Sequence, residues 1–305
     1  MFKPILNNSY IGIISPAFIP IKERLQKGIE YLQQKGFRVK TGANMGKEHA
    51  YFAGNDEQRV SDLHQLFADQ EVDLIICARG GWGGLRLLDK IDYELIKNNP
   101  KPLVGYSDIT TLQIAIWKNT QIPSFSGPMV AVEMGKGIVP FTEKHFWDQI
   151  NNEKTEYYIN LTESGGKTFV PGIGSGLLLG GCLSLVSHLL GTPYSPDFDG
   201  AILFIEDVGE KPYKIDRYFA HLKQAGVFNK INGLILGDFI DCEADPDEVS
   251  FSLQELIEQY FSDANYPVLT GFPYGHGDKK ITMPVGVQAS LDTTKNELIF
   301  ANPFV

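Results

Sequence analysis

Short apolar runs alternate with segments of helical length through the first half of the chain, and this alternation narrows the possible folds more than any other feature. Tyr10–Ser15 (YIGIIS) and Val72–Ala78 (VDLIICA) are nearly unbroken apolar runs, the pattern of strands covered on both faces. Between them Ile21, Leu25, Ile29 and Leu32 recur at helical spacing, Gly36 supplies a C-terminal stop, and Phe37–Val39 reads as a second strand. Asn55 or Asp56 can cap a helix carrying Val60, Leu63 and Phe67. Leu85–Ile96 reads as helical in parts, Leu103–Val104 as a short strand, Thr110–Trp117 as an apolar helix and Ile122–Phe125 as another strand. Strands separated by helices pair in parallel through right-handed crossovers. The expected product is an open α/β sheet, which places its sites at the carboxyl ends of its strands.

A chain of 305 residues is long enough for about two such units. The stretch 151–170 mixes polar residues, a short β-like run and Gly/Ser clusters, and reads as a linker between an N-terminal α/β domain (1–150) and a C-terminal one (171–305). In the latter, Gly180-Gly181-Cys182-Leu183 is expected to open an apolar helix through Leu190. Ala201–Ile205, Ile231–Leu236, Val268–Phe272, Ile281–Val285 and Leu298–Phe300 read as strands, and Tyr213–Leu222 and Phe251–Phe261 as helices, the last capped by Ser250 or Ser252. The second domain is thus α/β too, but richer in strand towards its end.

Composition removes several functions. There are 27 basic against 37 acidic residues, a net charge of −10, which disfavours nucleic acid and anionic membrane surfaces as partners. Cys77, Cys182 and Cys242 are odd in number and widely spaced, so neither a disulfide framework nor a zinc cluster is expected and a reducing compartment fits. The N-terminus lacks the continuous apolar core of a signal peptide, and no window offers the ~20 apolar residues of a membrane span. The cytoplasm is the expected location.

Familiar signatures are missing. The first strand runs into Ser15-Pro16-Ala17-Phe18 and not into a G-x-G-x-x-G turn. Gly165-Gly166-Lys167-Thr168 mimics the end of a phosphate loop, but Leu161 stands where the opening glycine belongs. The acidic stretch Asp241–Glu248 lacks calcium-loop spacing and reads as a solvated loop.

Three segments remain, each at the end of an expected strand. Val104-Gly105-Tyr106-Ser107-Asp108 runs from strand straight into helix, so Ser107 can stand exposed at the top of the sheet as a nucleophile; equally, Ser107 or Asp108 can simply cap the helix. Cys77-Ala78-Arg79-Gly80-Gly81-Trp82-Gly83-Gly84 carries more glycine than one tight turn requires, and its N–H groups could form an oxyanion hole or an anion nest. Glu206 follows an apolar strand, and His276 lies in a glycine-flanked loop, Gly271–Asp278. Alone, either reads as an ordinary surface residue. Ser, Glu and His in this chain order are one permitted arrangement of a serine triad.

Together ARGGWGG (78–84), VGYSD (104–108), GGCLS (180–184), ILFIEDVGEKPYKIDRYF (202–219) and GFPYGHGDKK (271–280) resemble the LD-carboxypeptidase family of serine peptidases, in the family's order and over most of the chain. Tyr213, Asp216 and Arg217 also look like the family's pattern after its catalytic glutamate. The resemblance implies a flavodoxin-like (Rossmann-like) parallel-sheet domain carrying Ser107, a C-terminal α/β domain carrying Glu206 and His276, and a site between them. It implies a cytoplasmic homodimer that needs no metal or organic cofactor. The implied partner is a small murein tetrapeptide, cut at the bond between the L-centre of a diamino acid and terminal D-alanine.

On that reading Ser107 attacks, His276 moves the proton and Glu206 orients the imidazole. The N–H groups of Gly81 and Asp108 hold the oxyanion, and Arg79 either anchors the substrate carboxylate or makes a structural ion pair. Two alternatives stay open: a microcin-immunity carboxypeptidase acting on peptidyl-nucleotides, and a non-enzymatic small-ligand-binding module on an α/β scaffold. A cysteine-dependent amidotransferase is disfavoured, because the corner holds Ser107 while Cys77 lies inside a strand.

Overall fold

A computed structural model describes residues 2–151 and 154–304. The chain divides into two compact units. The first comprises Met1–Thr155 together with two returning segments, Ile281–Gly286 and Asn302–Val305; the second comprises Glu156–Lys280 and Val287–Ala301.

In the first unit β1 (Tyr10–Ile14), α1 (Lys22–Gln34), β2 (Arg38–Thr41), α2 (Asp56–Ala68), β3 (Val72–Cys77), α3 (Tyr93–Asn98), β4 (Leu103–Val104), α4 (Ile109–Thr120), β5 (Ser124–Ser126) and α5 (Pro140–Ile150) follow one another. A 3₁₀ segment at Gly84–Lys90 joins the glycine-rich turn to α3. The first five strands pair in parallel in the order β2-β1-β3-β4-β5, the flavodoxin-like winding. The apolar runs of β1 and β3 are buried because helices cover both faces of a parallel sheet. Asn55, not Asp56, caps α2, in a reciprocal capping box with Gln58. α4 is apolar on nearly every side and buried from Ile109 to Trp117, as an interior helix must be.

The second unit holds β6 (Glu156–Asn160), α6 (Leu161–Ser164), β7 (Lys167–Val170), β8 (Ile173–Cys182), α7 (Leu183–Leu189), β9 (Ile202–Val208), α8 (Pro212–Gln224), β10 (Gly233–Ile240), α9 (Leu253–Phe261) and β11 (Val268–Thr270). The chain then contributes β12 (Met283–Val285) to the first unit, antiparallel to β5, before β13 (Val287–Asp292) and β14 (Glu297–Ala301) complete the second. The eight-stranded sheet runs β6-β14-β13-β8-β9-β10-β11-β7, with β8 to β11 parallel and the flanking pairs antiparallel. The α/β class and the strand-rich second half agree with the sequence reading.

Three expectations differ from the structure. The stretch 151–170, of which 152 and 153 lie outside the described residues, is no plain linker: β6 pairs with β14 and β7 with β11, so partners about a hundred or more residues away turn a polar stretch into edge strands. Nor is the second unit one continuous segment, since β12 leaves it. Finally, Gly180-Gly181-Cys182 belongs to β8, paired residue by residue with Phe204, Ile205 and Glu206; the helix starts at Leu183, where the Asp207 side chain accepts the Ser184 N–H at 2.8 Å. Among the described residues no helix is long and apolar enough to cross a membrane.

Candidate active site

Ser107 occupies the corner between β4 and α4 with φ +62°, a left-handed conformation that a side chain makes costly. Such strain persists only where the surroundings over-determine it, at about 1–3 kcal/mol per residue. The surroundings here are the glycine turn after β3. A methyl group on Gly80 would stand 3.1 Å from Ser107 Cβ and 3.3 Å from the Asp108 nitrogen, so the serine corner and the glycine turn are in contact. The Asp108 nitrogen therefore lies beside the serine side chain, a placement suited to holding an oxyanion. Gly81 is solvent-exposed in this turn, with φ +120°.

The capping reading is corrected for Asp108. Its side chain caps nothing on α4; it turns into the core, where its Oδ2 accepts the Gly84 N–H at 2.7 Å and it is 1% exposed. Burial pushes this carboxyl up to about 6, while the Gly84 and Gly83 N–H groups and the Arg59 guanidinium pull it down. Arg79 is half-buried: its Nη1 donates to the Ile19 carbonyl at 3.3 Å, and its guanidinium lies 5.7 Å from the Phe18 ring centroid. Cys77 is fully buried, and burial drives its thiol far above the ordinary range, leaving it unsuited to nucleophilic work.

In the second unit Glu206 and His276 meet. The His276 Nδ1 and Glu206 Oε2 are 2.7 Å apart. Their approach depends on an irregularity in β10. The β9–β10 ladder pairs Ile205 with Leu236 and resumes only at Asp207 with Phe239, leaving Gly237 and Asp238 bulged beside Glu206. The histidine loop fills that gap. Phe272 N–H donates to the Leu236 carbonyl at 3.2 Å, and Asp238 N–H donates to the Tyr274 carbonyl at 2.8 Å. Tyr274 is buried with its ring edge-on to Phe204. Gly275 has φ +121°, and a Cβ there would fall 2.5 Å from Glu206 Oε2, so only glycine lets the loop deliver His276.

Glu206 is fully buried, and its Oε1 has no hydrogen-bond partner among the described residues. Burial raises its carboxyl above the usual range; the His276 imidazole opposes this. A buried carboxylate whose one strong partner is an imidazole nitrogen fixes both the ring orientation and the tautomer. The next residue, Asp207, turns the other way to cap α7. Of the residues singled out after the glutamate, Asp216 accepts the Tyr260 hydroxyl at 2.6 Å, and Arg217 lies against the half-exposed Tyr213 ring. Asp216 thus ties α8 to α9, and Arg217 stays on the surface of α8.

The two remaining sequence suspects are structural. Gly165 closes α6 and Lys167-Thr168 opens β7, while Asp245 and Glu248 of the acidic stretch engage Lys211. Among the described residues no cluster of three or more His, Cys, Asp or Glu side chains could hold a metal ion.

Sequence reasoning passed over Arg59. It lies four and seven residues before Leu63 and Leu66 on the buried stripe of α2, and is 1% exposed. A charge set on an apolar stripe was the available signal.

An α/β chain with a left-handed serine corner in one unit and a buried carboxylate–imidazole pair in the other has the parts of a serine hydrolase. The chain belongs to the LD-carboxypeptidase family: the family's N-terminal domain matches residues 11–127 and its C-terminal domain residues 175–291. It is 38% identical over 297 residues to a Bacillus subtilis protein named "Probable murein peptide carboxypeptidase", covering 97% of this chain and 93% of that one. It is 28% identical over 320 residues to the Escherichia coli microcin C7 self-immunity protein MccF, covering 95% and 92%. The solved structure of muramoyltetrapeptide carboxypeptidase from Oxalobacter formigenes matches with a TM-score of 0.85 at 30% identity, covering 96% of this chain and 98% of that one.

Proposed function

We propose that this chain is a serine carboxypeptidase that releases terminal D-alanine from murein tetrapeptides, with Ser107, His276 and Glu206 as its triad. The observation that carries the reading is Ser107 itself, a strained non-glycine residue at a strand-to-helix corner against a glycine-rich turn, in a chain of this family. Ser107 Oγ attacks the carbonyl of the scissile L,D-bond. His276 Nε2 takes the hydroxyl proton and returns it to the leaving D-alanine amine, while Glu206 keeps the other ring nitrogen protonated. The N–H groups of Asp108 and Gly81 receive the oxyanion, and Arg79 receives the free carboxylate of the substrate. The family likeness extends the proposal to a cytoplasmic homodimer acting in peptidoglycan recycling without metal or organic cofactor.

Product analysis tests it. Wild type and Ser107→Ala are incubated with murein tetrapeptides containing either diaminopimelate or lysine, and released D-alanine is quantified. Release by wild type, lowered at least ~10⁴-fold in Ser107→Ala, is expected. No release from any tetrapeptide by folded wild type sinks the reading. The likeness to the self-immunity protein supports a second one, cleavage of a peptidyl-nucleotide, and such a substrate forms the second arm of the experiment.

A further inference from the structure

The glycine turn is held from below by two buried charges that the reaction itself does not use. Arg59 rises from α2 into the core, where its guanidinium donates to the Pro16 carbonyl and, at 3.1 Å, to the Gly83 carbonyl. Asp56, one turn earlier on the same helix, accepts from Arg59 through Oδ1 and from Arg86 through Oδ2 at 2.8 Å. Phe52 lies 4.5 Å beneath the guanidinium. On the other side, Asp108 Oδ2 takes the Gly84 N–H at 2.7 Å.

The Gly83 carbonyl and the Gly84 N–H belong to one peptide unit. Its two polar ends point in opposite directions, because a trans peptide fixes them so. One end meets a buried cation and the other a buried anion. Charge-assisted hydrogen bonds of this kind are about twice as strong as neutral ones. Rotation of the plane would break both at once, taking one partner from each of two buried charges. No side chain fits between plane and cation, since a Cβ on Gly83 would lie 2.5 Å from Arg59 Nη1.

We propose that Arg59 and Asp108 are positioning residues that clamp the Gly83–Gly84 peptide plane from its two ends and so hold the glycine turn against the Ser107 corner. Asp108 directly follows Ser107, so one residue sets the serine corner, offers its N–H beside it and fastens the opposing turn. Arg59 extends the hold to the loop after β1 through Pro16. The consequence for turnover rests on the carboxypeptidase reading; the clamp itself does not.

Amide hydrogen exchange in the free protein reads the clamp, and steady-state kinetics on a murein tetrapeptide read its consequence. In Asp108→Ala the Gly84 amide is expected to exchange about 10–100-fold faster, the loss of one hydrogen bond to a charged group. kcat is expected to fall about 10²-fold with KM within about threefold, because a displaced oxyanion donor costs transition-state and not ground-state binding. Asp108→Asn keeps an acceptor oxygen and restores most of both. Arg59→Lys cannot span both carbonyls and falls between them. The proposal is overturned if Gly84 exchange is unchanged in Asp108→Ala, if exchange rises while kcat stays at the wild-type value, or if Asp108→Asn loses as much turnover as Asp108→Ala with normal exchange. Inertness of the wild type toward every tetrapeptide sinks the peptidase reading alone, and exchange still decides the clamp.

Discussion

The surroundings of Ser107 in the first unit and of His276 in the second are built by opposite means. Around Ser107 the arrangement is made of backbone: a left-handed corner, a turn of glycines and a peptide plane pinned between Arg59 and Asp108. Side-chain charge serves there only to hold main chain in place. Around His276 the arrangement is made of side chains, and backbone serves them: a bulge in β10 makes room, the loop from Phe272 to His276 fills it, and a fully buried Glu206 meets the ring. Damage to the first half should therefore act through geometry and be rescued by any side chain that restores a hydrogen bond. Damage to the second should depend on the exact protonation chemistry of two groups, with no such rescue.

Glu206→Gln tests this contrast at its largest. The amide is nearly isosteric and can still bond the ring, so the loop should stay in place. It favours the wrong imidazole tautomer and cannot stabilise the imidazolium, a change that costs serine triads about 10⁴-fold in kcat. The same substitution should raise thermal stability. Burial raises the Glu206 carboxyl in the folded state, so its ionisation opposes folding, and wild-type stability falls as pH rises through that raised value. The amide removes this term, so a melting-temperature advantage of Glu206→Gln should appear on going from acidic to neutral pH. Near-normal turnover in this variant would remove Glu206 from the triad.

Gly275→Ala comes next. Here backbone acts on the side-chain half, through a φ of +121° and a Cβ contact at 2.5 Å with Glu206 Oε2. The loop must shift to accept the methyl group, and His276 shifts with it. Loss of stability of about 1–3 kcal/mol and a fall in kcat of about 10–100-fold are expected, measured by denaturant unfolding and by D-alanine release. A variant that keeps both would show that the loop reaches Glu206 by another path.

The same contrast explains what could be read from the sequence. Glycine and strand-to-helix junctions are local features, so the Ser107 corner and the turn at Gly80–Gly84 were legible, as were the parallel strands β1 and β3 in their unbroken apolar runs. Three features required distant partners. β6 and β7 are edge strands created by β14 and β11, and their polar residues resemble a linker until those partners are known. Glu206 and His276 lie 70 residues apart, and what joins them is a bulge in a third segment, β10; chain order permitted their pairing and the family resemblance singled it out, but nothing local to either residue showed the contact. Arg59 was hidden because a charge within a helical sequence is normally solvated, and here it is spent on carbonyl groups of two loops.

The smallest expected effect concerns stability in the serine half, and its sign separates a positioning charge from a stabilising one. Asp108 is buried, and its carboxyl sits at about 6 in the folded protein against 3.8 for an ordinary aspartate. The folded state therefore binds the proton more tightly than the unfolded state, and stability falls as pH rises from about 4 to about 6. The shift corresponds to at most ~3 kcal/mol at neutral pH. Arg59 is the charged group opposing it, with Gly84 and Gly83 supplying N–H donors. Asp108→Asn should be more stable than wild type by roughly 1–2 kcal/mol at pH 7.5, an advantage that vanishes below about pH 4, where the aspartate too is neutral. Urea unfolding of the two proteins at the two pH values measures it. If Asp108→Asn were instead less stable at pH 7.5, the attraction between Asp108 and Arg59 would outweigh the cost of burying them, and the clamp would be a net contributor to the fold. A gain in stability accompanied by a slight loss of turnover would mean that the protein keeps a destabilising carboxylate beside Ser107 because the charge grips the Gly84 amide more firmly than an amide oxygen can.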